Sequence, residues 1–406
     1  MKNQYCFNSL CIVCASIVPL LVTGPFLPDL LVSSSALWFL FYSFKHKQYQ
    51  IYHNKYFYLF AAFCLICIIS SLLSKDIFLS FQSSLFYFRI GIFALLISFL
   101  IDQNKKILDY FYYVFIVTFF ALIVDGYIQY FTGFNILGFP IQGIRVSSFF
   151  REELILGSYL VRLLPLFLAL FIVRKNKSSF EIYSFFIFFI LLYVLIFMSG
   201  ERTSFFFLNL FIVFNLLFIS NYRILRLLVF IISICSVVLL VVNDSNYYDR
   251  YVDQPIKSFG MDNISKEKKI FSPEHDSLYR TALNMFLDKP LLGHGPKLFR
   301  LKCSNPKYAT GNKPCDTHPH NFYIQLLAET GIIGFLFLIG ILIYLSYLMI
   351  KNTWNNFLNK QALLTNYQIC LLSGLLITLW PLSPNGSFFN NYLMIVYSLQ
   401  IGFFRR

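Results

Sequence analysis

Long apolar runs alternate with short polar connections from one end of this chain to the other. Crossing the hydrocarbon core of a bilayer as a helix takes about 20 apolar residues. About twelve stretches meet that requirement: 8–24, 27–44, 56–73, 84–101, 107–130, 154–173, 181–199, 203–220, 224–242, 320–349, 361–380 and 388–403. Gly24-Pro25 separates the first two and predicts a turn between them. One connection breaks the rhythm. Residues 243–319 are largely polar and far longer than the 2–8 residues usual between bundle helices. The pattern predicts an all-α, polytopic integral membrane protein forming one membrane domain. Its parts are helices 1–9 in residues 1–242, a large outer loop at 243–319, and helices 10–12 in residues 320–406.

Composition agrees with the pattern. The 406 residues are 58% hydrophobic and 13% charged, whereas soluble domains carry roughly 25% charge. The formal net charge of +14 does not point to nucleic acid, because the basic residues sit in short connections between spans. Lys45, Lys47, Lys55, Lys105, Lys106, Arg174, Lys175, Lys177, Arg223, Arg226, Lys351, Lys360, Arg405 and Arg406 all fall on one side if the count is twelve. Basic connections face the cytoplasm, so both termini are expected inside. No small-residue cleavage site follows the first apolar run, which reads as a span rather than a removed signal peptide.

The opposite face collects the polar exceptions: the 131–153 loop, the Gly200-Glu201-Arg202-Thr203 turn, the 243–319 loop and the Pro381–Ser387 turn. Within the long loop, Leu278, Ala282, Met285 and Phe286 recur at helical spacing, and PLLGHG follows as a stop. This predicts a short amphipathic helix on the outer surface. His320 stands in HPHN at the lip of the tenth span, where an imidazole is suited to act as a general base. His318 and Asn321 flank it as supporting residues. Arg202 opens a span after a tight turn, and its alternatives are a headgroup anchor or a cation facing a phosphate at a helix N-terminus. Arg280 on the loop helix is either a solvated face or a second guanidinium over the same anion. Arg145, Arg151, Glu152, Glu153 and Arg162 would line an outward cavity, with Arg162 inside a span needing a partner. Glu152 and Glu153 are adjacent and point apart, which argues against a paired-carboxylate site. Arg89 and Asp125, also within apolar stretches, read mainly as structural ion pairs. Gly331 and Gly334 permit close helix approach and read mainly as packing.

Seven of nine cysteines lie in or beside apolar helices and read as filler, the Cys64–Cys67 pair included. Cys303 and Cys315 bracket a polar loop and are suited to a disulfide in an oxidising compartment. No four-ligand metal pattern forms around them.

In these segments the chain resembles the O-antigen ligase and polymerase superfamily of bacterial envelope glycosyltransferases. Four pieces carry the resemblance: His320-Asn321, nine residues and then Gly331-Ile332-Ile333-Gly334; Tyr279-Arg280 leading to PLLGHGPKLF; SGERTS; and GYIQYFTGFNILGFP with RVSSFFREELILGSYL. The resemblance implies a GT-C-like helical fold in the bacterial inner membrane with a periplasm-facing, metal-independent site that needs no cofactor. It implies a donor glycan on undecaprenyl diphosphate, membrane lipid as surroundings, and a hydroxyl acceptor on a lipid A-core sugar or another glycan. It implies that Arg202 and Arg280 bind the diphosphate and that His320 activates the acceptor, with inversion at the anomeric centre. The chain lacks the paired arginine motifs of some polymerases, since Arg145, Arg151 and Arg280 each miss the spacing, and this favours ligase over repeat-unit polymerase. A protein O-oligosaccharyltransferase is a further option in the same class. A lipid-linked glycan flippase is the alternative of another class, but it would carry charge through the midplane rather than at one face.

Overall fold

The structure is a computed structural model that describes residues 2–258 and 270–404. Among these residues the regular structure is helical, with isolated β-bridges at Phe134–Pro140 and Gln142–Arg145. Thirteen helices carry the argument: α1 Phe7–Leu20, α2 Phe26–Lys45, α3 Lys55–Leu72, α4 Ile77–Gln103, α5 Lys106–Thr132, α6 Leu156–Val173, α7 Ser179–Met198, α8 Arg202–Phe218, α9 Arg223–Asn243, α10 Pro273–Asp288, α11 Phe322–Phe357, α12 Asn366–Thr378 and α13 Asn391–Phe404. Eight of them are long and apolar enough to cross a membrane, and α1, α8, α12 and α13 are shorter apolar helices. The chain is thus an all-α, polytopic membrane protein.

Local chemistry sets several boundaries. Asn54 caps α3 by accepting from the Phe57 amide, and capping boxes at Ser178/Glu181 and Thr365/Gln368 start α7 and α12. Gly133, with φ 83°, ends α5 in the left-handed conformation that glycine adopts without a Cβ penalty. The centre of the bundle is α6, buried from Leu156 to Phe171 except at half-buried Ser158 and packed against α12. A Cβ at Gly374 of α12 would meet the Pro165 ring of α6, so the two backbones approach closely there. Large apolar side chains on α2, α3, α9 and α11 instead point outward, as a lipid-facing surface requires.

Contacts group the connections by end. Asn104 meets Asn8, Arg174 faces Asp109, and Asn366 meets Asn221, all beside the basic connections. At the other end Arg89 pairs with Asp29 at 2.6 Å, and the 243–319 loop packs on the N-terminal part of α11. Arg405 and Arg406 lie outside the described residues, as does part of the long loop.

The tenth apolar stretch is not one uninterrupted span. Gly331 has φ 65° and ψ −165°, which divides α11 into an outer segment ending at Thr330 and an inner one of about 26 residues. At 1.5 Å per residue the inner segment is roughly 39 Å long and sufficient by itself to cross a bilayer. The break frees backbone groups, and the PLLGHG turn takes them up. The His294 and Gly295 amides donate to the Ala328 and Glu329 carbonyls at 3.0 and 2.8 Å, and the Ile332 amide donates to the Pro290 carbonyl at 2.8 Å. Gly331 is therefore more than a packing glycine: its backbone conformation and its contact with Leu291 both exclude a side chain. Gly334 has a simpler role, since a Cβ there would meet Thr330 of the preceding turn. The loop helix α10 forms at Pro273–Asp288 and buries Leu278, Tyr279, Ala282 and Met285 against α11, with Phe286 half-buried. Cys303 and Cys315 form a disulfide with Cα atoms 5.0 Å apart, and Cys303 joins the core under α10.

Candidate active site

The outer end of α11 is built by its cap. The Asn321 side-chain oxygen accepts from the Tyr323 and Ile324 amides at 3.0 and 3.2 Å, and its NH2 donates to the Pro381 carbonyl at 2.7 Å. The same residue thus starts the helix and ties it to the α12–α13 turn. Immediately before it, His320 sits at φ 57°, a conformation sparsely populated by non-glycine residues. Its Nε2 lies 3.2 Å from the Asp316 carboxylate, and its side chain is 31% exposed. With Nε2–H donated to Asp316, the Nδ1 lone pair is the basic one. Burial works to raise the Asp316 carboxyl. Hydrogen bonds from Thr317 and His320, with the His320 charge, outweigh it and hold Asp316 below its usual range.

Two more imidazoles border His320. His318 lies 4.2 Å away between ring centroids, and His275 of α10 lies 5.9 Å away nearly perpendicular. Burial first, and the neighbouring His320 second, lower both; His318 is pushed down to about 4. Both are therefore neutral near pH 7, leaving His320 with an uncharged border on this side. The α12–α13 turn closes the base of the cluster. The Asn385 amide donates to the His320 carbonyl at 2.7 Å, and the Asn385 carbonyl accepts from His318 Nε2 at 3.3 Å. Its side-chain oxygen accepts from Arg162 at 2.8 Å.

The arginines gather at the turn before α8. Gly200, with φ 67°, brings the backbone against Arg145 and Arg250. Arg145 donates to the Ser199 and Leu154 carbonyls at 3.2 and 3.3 Å, and Arg250 donates to the Gly200 carbonyl at 2.7 Å. Arg202 is exposed at the first position of α8. Glu201 is occupied otherwise. Its carboxylate accepts from the Gly157 and Ser158 amides at 2.7 and 3.2 Å and from the Ser204 hydroxyl at 3.0 Å, which caps the N-terminus of α6. Burial pushes this carboxyl up to about 7 against those hydrogen bonds and the Arg145 charge. Burial, and the repulsion of neighbouring arginines, lower Arg145 and Arg250. Three guanidiniums thus share one turn with a single carboxylate already engaged as a helix cap. The Arg202 charge is within electrostatic reach of His275 and contributes to lowering it. Such a surface, with cations beside a helix start, is chemically suited to phosphate oxygens.

The remaining expected residues are placed as follows. Arg280 lies on α10, five residues after His275, 64% exposed and paired with Asp276 at 2.8 Å rather than with the arginine group. Arg151 is exposed and stacks on Phe139 at 5.1 Å, and Glu152 and Glu153 are exposed to solvent. Arg162 is buried, lies over the Phe207 ring at 5.2 Å, and forms no ion pair among the described residues. Asp125 also forms no ion pair among them. It anchors the 131–153 loop by accepting from the Ile136 amide and the Ser148 hydroxyl. Four contributors were not singled out from the sequence as site residues: Asp316, His275, Arg250 and Asn385. Only Asp316 carried a local signal, standing four residues before His320. Arg250 lies in a π-turn at Asp249–Asp253, held by Tyr251 stacked on Phe197 at 4.3 Å.

Residues 186–339 match the family model described as O-Antigen ligase. That stretch runs from α7 into the inner segment of α11. It contains Arg202, Arg250, His275, Arg280, Asp316, His318 and His320, while Arg145, Arg162 and Asn385 lie outside it. No curated protein matches the chain.

Proposed function

We propose, from the premise that this chain belongs to the O-antigen ligase and polymerase superfamily of membrane glycosyltransferase-like enzymes, that it is an inverting, metal-independent ligase. The donor is a glycan carried on undecaprenyl diphosphate, and the acceptor is a hydroxyl of a lipid A-core sugar. The protein sits in the bacterial inner membrane with all twelve apolar helices crossing it and the His320 cluster facing the periplasm. The observation that carries this reading is the hydrogen bond from His320 Nε2 to Asp316, together with an arginine group that forms no ion pair among the described residues.

The chemistry follows from those groups. His320 Nδ1 takes the proton of the acceptor hydroxyl as its oxygen forms a bond to the anomeric carbon. Asp316 holds the ring and stabilises the imidazolium that results. The bond between the anomeric carbon and the phosphate oxygen breaks on the opposite face, which inverts the centre. The electron pair leaves with undecaprenyl diphosphate, and Arg202, Arg145 and Arg250 stabilise its growing charge. Arg280 exchanges Asp276 for the diphosphate when the donor is seated. Arg162, His318 and Asn321 position the His320 turn, while Arg151, Glu152 and Glu153 line the approach.

A deletion strain tests the reading. Full-length lipid-linked polymer that is never joined to lipid A-core is the expected outcome. Accumulation of single capped repeats would replace the ligase by a repeat-unit polymerase, and failure of the donor to reach the outer leaflet would indicate a flippase.

A further inference from the structure

Outside the His320 cluster, the loop and the end of α3 border an open cavity of about 250 Å³. Lys75, Asp76, Leu301, Lys302, Asn305 and Tyr308 line it. We propose that this cavity is a second binding site, for the phosphate group of an anionic membrane lipid.

The charge balance is the first argument. Lys302 lies within electrostatic reach of Lys75, Lys289 and Lys307, and of the Asp288 carboxylate. Asp288 is already engaged by the Lys307 ammonium and by the Tyr308 hydroxyl, the latter at 2.7 Å. Asp76 accepts from the Leu79 amide at 2.9 Å and so caps the start of α4. Lys289 donates to the Leu73 carbonyl at 3.3 Å. Among the described residues, Lys75 and Lys302 have no carboxylate within ion-pair distance. The Lys302 ammonium donates to Nδ1 of buried His294 at 3.1 Å, a neutral acceptor that leaves its charge intact. Two ammonium groups without an ion-pair partner among the described residues, an amide, a phenol and the capping carboxylate of Asp76 therefore border one cavity, leaving an excess of positive charge. Ammonium groups bind phosphate as point charges.

The surroundings identify the carrier. Lys75 follows the outer end of an apolar helix, at the level where a bilayer places its headgroups. Around it Leu73, Phe78, Leu291 and Leu301 are all more than half exposed, Phe78 at 88%. Water is a poor neighbour for such a surface, whereas acyl chains beneath a bound headgroup would cover it. The site is independent of glycan transfer, and its test does not use transfer as a readout.

The experiment uses the full purified chain in nanodiscs of phosphatidylcholine with a small fraction of phosphatidylglycerol, and measures retained phosphatidylglycerol by native mass spectrometry. Lys75→Gln with Lys302→Gln is expected to weaken retention roughly thirty-fold. Lys75→Arg with Lys302→Arg, which keeps the charge, is expected to retain it. Lys105→Gln with Lys175→Gln, on the other side of the bundle, is expected to have no effect. Unchanged thermal unfolding of the glutamine variant separates loss of binding from loss of fold. Failure of millimolar inorganic phosphate to compete supports a lipid-borne group, and full competition supports a site for free phosphate in its place. Equal retention by the native and glutamine proteins would overturn the proposal.

Discussion

Arg162 and Asn385 are 223 residues apart in sequence and meet at 2.8 Å. Arg162 is 3% exposed, and one of its terminal nitrogens has no hydrogen-bond partner. A buried guanidinium without a carboxylate is costly, so its placement calls for a reason. The reason lies one residue away in space. Asn385 also gives its amide to the His320 carbonyl and receives the His318 ring. A rigid central helix thereby fixes the turn that carries the candidate base.

Asn385→Ala is expected to lower stability by about 1–3 kcal/mol, since it leaves Arg162 with a further unpaired donor. As Asn385 positions the base rather than touching substrate, kcat should fall while KM for the donor stays near its native value. Thermal unfolding combined with steady-state transfer measures both. An equal rise in KM would instead place Asn385 in substrate binding.

Arg250 supplies an independent check on the arginine group. Arg250→Gln retains the hydrogen-bonding capacity toward the Gly200 carbonyl but removes the charge. Donor KM is expected to rise about tenfold, in line with about 1.5–3 kcal/mol for a hydrogen bond to a charged group. Titration of the donor at fixed acceptor reads this out. Arg202→Gln should do more, because Arg202 is the exposed member of the group, at the first position of α8.

His294 gives the loop a dependence on pH. Its Nε2–H donates to the Met285 carbonyl at 3.0 Å, and burial, then the Lys302 charge, push it down to about 4. In the unfolded chain it titrates near 6.5. Between these values the unfolded state binds the extra proton, so stability is complete above about 6.5 and is lost as pH falls toward 4. The unfolding temperature is expected to drop across that window. His294→Gln should flatten the drop, and an identical slope in the variant would remove His294 as its source. Glu201, raised to about 7, acts in the opposite sense, which is why the comparison is between native and variant.

Cys303 and Cys315 close a loop with a sequence separation of 12. Replacing both with serine is expected to cost about 3 kcal/mol. In intact cells neither thiol should be alkylated without reductant. Modification of both under those conditions would show that the bridge does not form.

Much of the architecture was legible because lipid enforces a long apolar period that a single sequence displays. The amphipathic face of α10 was legible for a similar reason, being local in sequence, whereas Asn321 reads from the sequence only as a residue supporting His320 and proves to be the cap of α11. The break at Gly331 was not, since the glycine sits in an unbroken apolar run and only the docking of Pro290–Gly295 makes the kink favourable. Arg250 and His275 come from distant parts of the 243–319 connection and Asn385 from the α12–α13 turn, and their placement at Gly200 and His320 is a property of how the bundle packs. Glu201 stands in the turn before α8, and Asp125 lies in an apolar stretch where it reads mainly as half of an ion pair. Their carboxylates are consumed by backbone amides, which no pattern of residue types announces. Arg280 pairs within its own helix, at the spacing where Asp and Arg meet on one face.

The most direct test is transfer by the purified chain of a glycan from undecaprenyl diphosphate to a hydroxyl acceptor, comparing native protein with His320→Ala and Asp316→Asn. A positioned base contributes about 10²–10⁴-fold. His320→Ala is expected to lose that factor, and Asp316→Asn a smaller part of it, with donor binding and unfolding temperature unchanged in both. Native turnover by His320→Ala would contradict the assignment of the base and the mechanism built on it.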